Sequence, residues 1–385
     1  MALFDTLLSA FKGGERSRVP LAAGAMQGWI PAFETATGER PYTYGRGITE
    51  GFLANPVAQR SVRLLAEGIG QAPLHCSDPR LATLVTATSA GQSLIETLAA
   101  NLLLHGNGYV QVLKDVSGTP VELFALRPDR VEVVLDHNGW PCGYDYSVGP
   151  QRSRLALEDE DGWPGLIAIR AMHPTHDHLG AGALEAAWQA VQIHNAATRW
   201  NRSLLENAAR PSGALVYDTG DGAALTLEQF DRLRRELDVA FSGAINAGRP
   251  MLLDGGLKWQ SMALTPADMD FATLKSAAAR DIALAFGVPP MLLGLPGDNT
   301  YANYREASRA LWRLTLLPLA EKLFAALREG LAPWFPEAEL RIDLDRVPAL
   351  SEDRERLWSQ VSDADFLSRA EKRQMLGLPP EEANP

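Results

Sequence analysis

Three histidines, His173, His176 and His178, lie beside Asp177 and form the side-chain group best suited to metal chemistry. Imidazole and carboxylate groups bind zinc when they converge on one point. The His-x-x-His-x-His spacing does not match a helical or knuckle pattern that would place the ligands together, and Pro174 interrupts regular structure. We therefore interpret the segment as a loop without a metal and keep a metal-dependent hydrolase as an alternative.

The run His105-Gly106-Asn107-Gly108 is the nearest approach to a phosphate-binding loop. It does not open a helix with the G-x-G-x-x-G spacing, and the chain contains no G-x-x-x-x-G-K-[ST] sequence. The motifs G-x-S-x-G and H-E-x-x-H are also absent from the sequence. These patterns argue against ATP hydrolysis by a P-loop mechanism. We predict that the protein is not an enzyme and needs no cofactor.

The segment 280–304 carries no catalytic group but has the composition of a mechanical element. A helix is predicted to end at Gly287, where Pro289 and Pro290 form a rigid corner. A loop rich in glycine, proline, aspartate and asparagine follows, and the chain then enters a long helical pattern. Residues 298–301 are either the tip of an exposed loop or a flexible contact element that reaches into a cavity.

The bulk properties restrict the class of protein. The chain has 385 residues, enough for two or three domains, and its composition is that of a soluble globular protein. No apolar run approaches the ~18 residues that a membrane span requires. Two separate cysteines give no disulfide framework and favour a reducing cytosol. The net charge of −11 disfavours a protein that grips nucleic acid through a broad basic surface.

Strand signals and helix signals occupy different parts of the chain. A strand-rich block covers 108–170, with turns predicted at Ser117-Gly118 and at 137–139. Helices are predicted at 56–69, 91–104, 184–208, from Thr226, at 266–286 and at 301–329, with two short helices in the last 50 residues. The fold class is therefore α+β and mainly helical.

Local signals refine the ends of these helices. Thr226 with Gln229 and Ser368 with Glu371 have the form of capping boxes, and Ser351 is predicted to cap a third helix. The interior Pro318 is expected to kink the helix at 301–329. In the helix at 266–286, Leu274, Ala278 and Ile282 are predicted to face inward. Two short strands are predicted within 248–262, around Asp254-Gly255-Gly256.

An ordered series of segments resembles the portal proteins of tailed phages, in the short branch of long-tailed phages and gene transfer agents. No single segment is decisive, but together they cover roughly residues 50–380 in the family's order. The segments are NPVAQRSVRLLAEGIGQAPL, LLLHGNGYVQVL, LRPDRVEVV, HPTHDHLGAGALEAAWQAVQIHNAATRWN, ENAARPSGAL, NAGRPMLLDGGLKWQSM, ARDIALAFGVPPMLLG, TYANYREASR and EKRQMLGLPP.

The resemblance implies a division of the chain into named parts. They are an N-terminal tail (1–19), a wing (20–223), two stem helices (224–243 and 266–289) around a clip (244–265), a tunnel loop (290–301), a long kinked helix of the wing (302–336) and a short crown (337–385). It also implies roles for individual residues. These are Gly297, Asp298, Asn299, Thr300 and Tyr301 facing DNA, Gly287, Pro289, Pro290 and Gly294 as the loop hinge, and Arg249, Asp254, Lys258 and Trp259 in the clip.

The resemblance further implies a ring of about twelve subunits at one capsid vertex, through which DNA is packaged and ejected. The implied partners are other copies of the chain, the major capsid protein, the head–tail adaptor, the large terminase subunit and double-stranded DNA bound without sequence specificity. No membrane is implied, and the location would be the particle, with the host cytoplasm during assembly. A helical adaptor that forms no channel remains a second alternative.

Overall fold

The computed structural model describes residues 41–89, 91–159, 162–206, 213–217, 226, 228–229, 231–232, 235, 257–261, 271–296 and 301–378. The chain divides into two units, Met1–Thr43 and Tyr44–Pro385, and every element below belongs to the second. Within the described ranges, no helix combines the length and the apolar character needed to cross a membrane.

The described α-helices occur throughout this unit, and the sequence places most of them correctly. They are α1 (Tyr44–Arg46), α2 (Pro56–Gly70), α3 (Pro79–Thr86), α4 (Leu94–His105), α5 (Ala183–Ala186), α6 (Trp188–Glu206), α7 (Phe271–Ala285), α8 (Tyr301–Leu311), α9 (Leu317–Leu331), α10 (Ser351–Ser362) and α11 (Arg369–Leu376). A π-helical turn, Gly47–Phe52, follows α1.

Helices α2 and α4 pack together and supply much of the core. The Asn55 side chain caps α2 by accepting hydrogen bonds from the backbone N–H groups of Val57 (3.0 Å) and Ala58 (3.1 Å). Val62, Leu65 and Ile69 are buried on one face, as the spacing predicts. Both predicted helices are confirmed, although α4 begins only after Ser93, whose side chain caps it.

The β-strands form small antiparallel sheets. The described strands are β1 (Leu74–Cys76), β2 (Thr88–Ser89), β3 (Gln92–Ser93), β4 (Asn107–Lys114), β5 (Pro120–Leu126), β6 (Val131–Leu135), β7 (Pro141–Val148), β8 (Gln151–Ala156), β9 (Leu166–Arg170), β10 (Gly213–Tyr217), β11 (Leu257–Ser261) and β12 (Leu340–Ile342). The order β5-β4-β9 forms one sheet and β6-β7-β8 another. The predicted β4–β5 and β6–β7 hairpins are both confirmed.

Strand β8 was not predicted, because its sequence QRSRLA is polar along most of its length. Leu155 packs against the apolar cluster around Tyr144, and ion pairs reinforce the pairing of β8 with β7. Asp145 of β7 lies 2.7 Å from the Arg152 guanidinium and 2.8 Å from that of Arg154.

The long helical segment after residue 300 contains an irregular turn. Helices α8 and α9 are joined by a π-helical turn, Trp312–Leu316, directly before Pro318. A kink was predicted at Pro318; the structure shows a widened turn just before it, where the proline ring and its missing N–H disturb the helical hydrogen bonds.

The predicted helix ends are partly correct. Ser368 and Glu371 form the predicted capping box of α11, and Thr226 and Gln229 exchange the expected hydrogen bonds. The prediction for Ser351 was wrong. Leu350 occupies the N-cap of α10, and the Ser351 hydroxyl donates to the Pro348 carbonyl (2.9 Å) from inside the first turn.

Helix α7 and strand β11 belong to the segments predicted as stem and clip. Ala278 and Ile282 of α7 are buried as predicted, whereas the prediction for Leu274 was wrong, since that side chain is 45% exposed. Strand β11 pairs with β10, and the first strand predicted around Asp254 lies outside the described residues. Strand β12 pairs with β1, which joins the beginning of 337–385 to the segment after α2.

Candidate functional site

Gly287 ends α7 in the left-handed conformation, with φ +67°. The Val288 N–H donates to the Ala283 carbonyl and the Gly287 N–H to the Leu284 carbonyl, both at 2.9 Å. These two hydrogen bonds define a Schellman motif, in which a glycine avoids the steric cost of positive φ. Val288 is buried immediately afterwards, so the chain leaves the helix from a fixed point.

A second left-handed turn follows within a few residues. Pro289 leads into the 3-10 helix Pro290–Leu293, which ends at Gly294 with φ +72°. The Leu295 N–H donates to the Pro290 carbonyl (3.2 Å) and the Gly294 N–H to that of Met291 (3.1 Å). All four predicted hinge residues therefore lie in one compact, hydrogen-bonded segment. The Arg280 side chain of α7 donates to the Pro296 carbonyl just beyond it.

Thr315 holds the π-helical turn against this segment. Its hydroxyl donates to the Gly287 carbonyl at 2.7 Å across 28 residues. A Cβ atom added to Gly287 would lie 2.9 Å from the Thr315 Oγ1 atom, closer than real contacts allow. The beginning of the loop and the middle of the long helical segment are thus joined at one point. We call residues 287–296 together with Thr315 the loop root.

A group of ion pairs connects α8 with α10. The Glu352 carboxylate lies 2.6 Å from Arg305 and 2.8 Å from Arg309, and Arg309 also lies 2.9 Å from Glu306 and 3.4 Å from Asp353. The Arg309 side chain is only 16% exposed, so its charge is partly desolvated and several carboxylates compensate it. These contacts attach the helix that follows the loop to the segment predicted as the crown.

Thr315 and the arginine group were not identified from the sequence. The Thr315–Gly287 hydrogen bond and the ion pairs of Arg305 and Arg309 with Glu352 join residues that are 28 to 47 positions apart, so no local spacing signals them. The interior Pro318 signalled an irregularity in this helical segment, but it did not indicate the contact that Thr315 makes.

Most of the predicted loop tip and clip residues lie outside the described ranges. These are Gly297, Asp298, Asn299, Thr300, Arg249 and Asp254. Tyr301 is the first residue of α8. Lys258 and Trp259 lie on β11, opposite Val216 and Leu215 of β10.

The histidine segment does not assemble a metal site. The rings of His173 and His176 pack edge to face at 4.5 Å, while His178 Nε2 lies 2.9 Å from the Gly139 carbonyl. Asp177 offers its backbone carbonyl to the Arg170 side chain at 2.6 Å. Throughout the described ranges no three histidine, cysteine or acidic side chains are grouped so that they could hold a metal ion. The geometry gives the hydrolase alternative no support.

The glycine-rich run after α4 is a close crossing of two backbones. Gly106, at φ +82°, ends α4, and an added Cβ would lie 2.4 Å from the Gly180 carbonyl group. The buried Asn107 side chain accepts from the Gly180 N–H at 2.9 Å. Burial lowers the pKa of His105 on the same turn and so favours its neutral imidazole. The run therefore positions the segment before α5 rather than a phosphate.

The chain is similar in sequence and in structure to proteins of phages and of a gene transfer agent particle. The sequence model described as "Phage portal protein" matches residues 56–377. A Rickettsia felis protein is 38% identical over 345 residues, covering 86% of this chain and 88% of its own length. A probable portal protein of Streptomyces phage phiC31 is 26% identical over 327 residues, which cover 78% of this chain and 69% of the phage protein. The neck of a native gene transfer agent particle, computed with C12 symmetry, contains a chain with 46% identity and a TM-score of 0.68, covering 93% of this chain and 100% of that one.

Proposed function

The chain belongs to the phage portal protein family, and from that premise we propose that it forms a closed ring of about twelve subunits that conducts DNA. The single observation that carries this proposal is the 46% identity, over the whole length of the matched chain, to a component of a neck with C12 symmetry. The ring would occupy one vertex of a phage or gene transfer agent particle, after assembly in the host cytoplasm.

The charge of the chain suits a channel that DNA slides through. Each copy carries a net charge of −11, and residues 337–385 contain 12 acidic and 7 basic side chains. Adhesion to DNA grows steeply with the number of phosphates that a protein neutralises. A mainly acidic ring with few basic contacts would therefore pass double-stranded DNA without gripping it and without reading its sequence.

The loop root would fix the position from which the tunnel loop extends. Gly287, Pro289, Pro290 and Gly294 adopt two consecutive hydrogen-bonded turns, and Thr315 holds them against the long helix. In this proposal Gly297, Asp298, Asn299, Thr300 and Tyr301 contact the DNA as it moves. The loop does no chemistry, and a separate terminase ATPase supplies the energy.

The proposed partners occupy different parts of the ring. Residues 244–265, with Arg249, Asp254, Lys258 and Trp259, would face the head–tail adaptor and, during packaging, the large terminase subunit. The wing would contact the major capsid protein, and residues 337–385 would face the capsid interior.

Deletion of residues 296–300 tests the role of the loop. We expect the deleted chain to assemble into rings, because the Gly287–Thr315 contact is retained, and the particles to contain much less nuclease-protected DNA. A variant in which Asp298, Asn299 and Thr300 are each replaced by glycine keeps the length of the loop and removes these three side chains. Normal DNA content in particles built with the deletion would refute the assignment of this segment as a tunnel loop.

A further inference from the structure

An apolar groove of about 580 Å³ lies beside the loop root. One wall is the end of α7 with Leu284, and the other is the π-helical turn with Leu314 and the start of α9. Leu102 and Leu103 of α4 line the remaining side together with small residues such as Ala183 and Ala186. Gly287 and Thr315 also line the groove, so an occupant would touch the loop root directly.

Both walls present a large aliphatic side chain to water. Leu284 is 78% exposed and Leu314 is 77% exposed. On α7 the neighbouring Ala283 and Phe286 are buried, so Leu284 is on the side of the helix that faces away from the subunit's own core. Contiguous apolar surface of this kind is typical of interaction sites, because water-exposed apolar patches are unfavourable.

The π-helical turn explains why Leu314 faces outward. Leu311 and Leu316, five residues apart, are both buried, which is the spacing of a π turn. The wider turn lets both of these leucines reach the core and leaves Leu314 between them on the outer side. The irregularity before Pro318 thus creates one wall of the groove.

We propose that the groove is one half of the contact between adjacent subunits, and that its occupant is a second copy of this chain. The proposal rests on the ring proposed above. Closed rings use heterologous interfaces, in which a surface on one subunit meets a different surface on the next, and a groove is suited to such a contact. The edge of the groove is basic, because Lys322 lines it and Arg313 is exposed next to Leu314. A second copy of this chain, with its net charge of −11, is an acidic partner that complements these two cations.

This arrangement would give each subunit a contact with its neighbour's loop root. A shift of the neighbour would press on the Gly287–Thr315 contact, and a shift of the loop root would change the groove. The positions of adjacent loops would then depend on one another around the ring.

Charge substitution in the groove tests the proposal. Leu284→Glu and Leu314→Glu are compared with Val121→Glu, which places the same charge on a 57% exposed aliphatic position of the edge strand β5. Native mass spectrometry measures ring formation over a range of concentrations, and far-UV circular dichroism verifies that each subunit is folded. We expect both groove variants to need at least tenfold more protein for half-assembly, and the control to assemble like the natural chain. Unchanged assembly of both groove variants would overturn the proposal.

A cross-linking measurement identifies the occupant independently. A photoreactive amino acid at position 314 is introduced into a mixture of isotopically labelled and unlabelled full-length chains. We expect cross-linked peptides that contain both isotopes, which requires two copies. Cross-links confined to single chains, for example to residues 1–40, would show that the chain's own segment fills the groove and would refute the proposal. If the natural chain forms no rings, the portal proposal fails, while a mixed-isotope cross-link would still support contact between copies.

Discussion

The contact between Gly287 and Thr315 makes a quantitative prediction about the loop root. Replacing Gly287 by alanine adds a methyl group to a residue whose φ is +67° and places it 2.9 Å from the Thr315 Oγ1 atom. Gly294 provides a matched control, because its φ is +72° but nothing lies within 4 Å of an added Cβ. Both substitutions place an alanine at a positive φ, but only the one at Gly287 also brings the new methyl group against Thr315.

The magnitudes follow from these two contributions. An alanine in the left-handed region costs about 1–2 kcal/mol, which is the whole effect expected for Gly294→Ala. Gly287→Ala must also displace the Thr315 hydroxyl and weaken its 2.7 Å hydrogen bond to the Gly287 carbonyl, at a further cost of about 0.5–1.5 kcal/mol. We expect Gly287→Ala to lower the free energy of unfolding by about 1 kcal/mol more than Gly294→Ala does.

Urea unfolding followed by circular dichroism measures these differences. All variants are compared at one protein concentration, because assembly contributes to apparent stability. Thr315→Ala removes the atoms that collide, so in that background Gly287→Ala is expected to cost no more than Gly294→Ala. Equal costs for the two glycine substitutions in the natural chain, or full additivity of Gly287→Ala with Thr315→Ala, would refute the described geometry.

Two further predictions concern other parts of the structure. Arg309→Ala should lower the free energy of unfolding by about 1–3 kcal/mol, because this partly buried guanidinium faces three carboxylates. Arg305→Ala should lower it by less than ~0.5 kcal/mol, because Arg305 is half exposed and pairs only with Glu352 among these carboxylates. Equal losses for the two arginine variants in urea unfolding would contradict this. Burial, with a smaller contribution from Asp129, raises the pKa of Tyr44 to about 12, and burial likewise raises that of Tyr109 to about 12. The fold thus favours the neutral phenols, so their contribution to stability is complete below about pH 10 and is lost as the pH rises towards 12. A titration of absorbance at 295 nm should show these tyrosines ionising late, with one fewer after Tyr44→Phe, and a titration complete near pH 10 would contradict this.

Local features of the fold were accessible from the sequence because their physical causes are local. A serine or threonine three residues before a glutamate or glutamine satisfies helix N–H groups by itself, which explains why the caps at Thr226 and Ser368 were predicted correctly. Ser351 shows the limit of this rule, since the preceding 3-10 helix Pro348–Leu350 displaces it into the first turn. Gly287 and the paired prolines likewise indicate the end of α7 from the sequence alone.

The remaining features depend on contacts between distant residues. Strand β8 lacks apolar alternation, and its pairing is supported by ion pairs of its Arg152 and Arg154 with Asp145 on the neighbouring strand. Leu274 was assigned to the core by its spacing, yet the neighbouring elements within the subunit leave it 45% exposed. The Thr315–Gly287 hydrogen bond and the Arg305–Glu352 ion pair bring together residues 28 and 47 positions apart, separations at which sequence spacing carries no geometric information.

The mass of the assembly that the purified chain forms tests the central claim most directly. The full-length chain is purified and its assembly is measured by native mass spectrometry, with electron microscopy of the same sample. We predict a closed ring with a central hole and a mass of about twelve times that of the 41.8 kDa chain. A protein that remains a monomer or dimer at high concentration would contradict the proposal that this chain forms a portal.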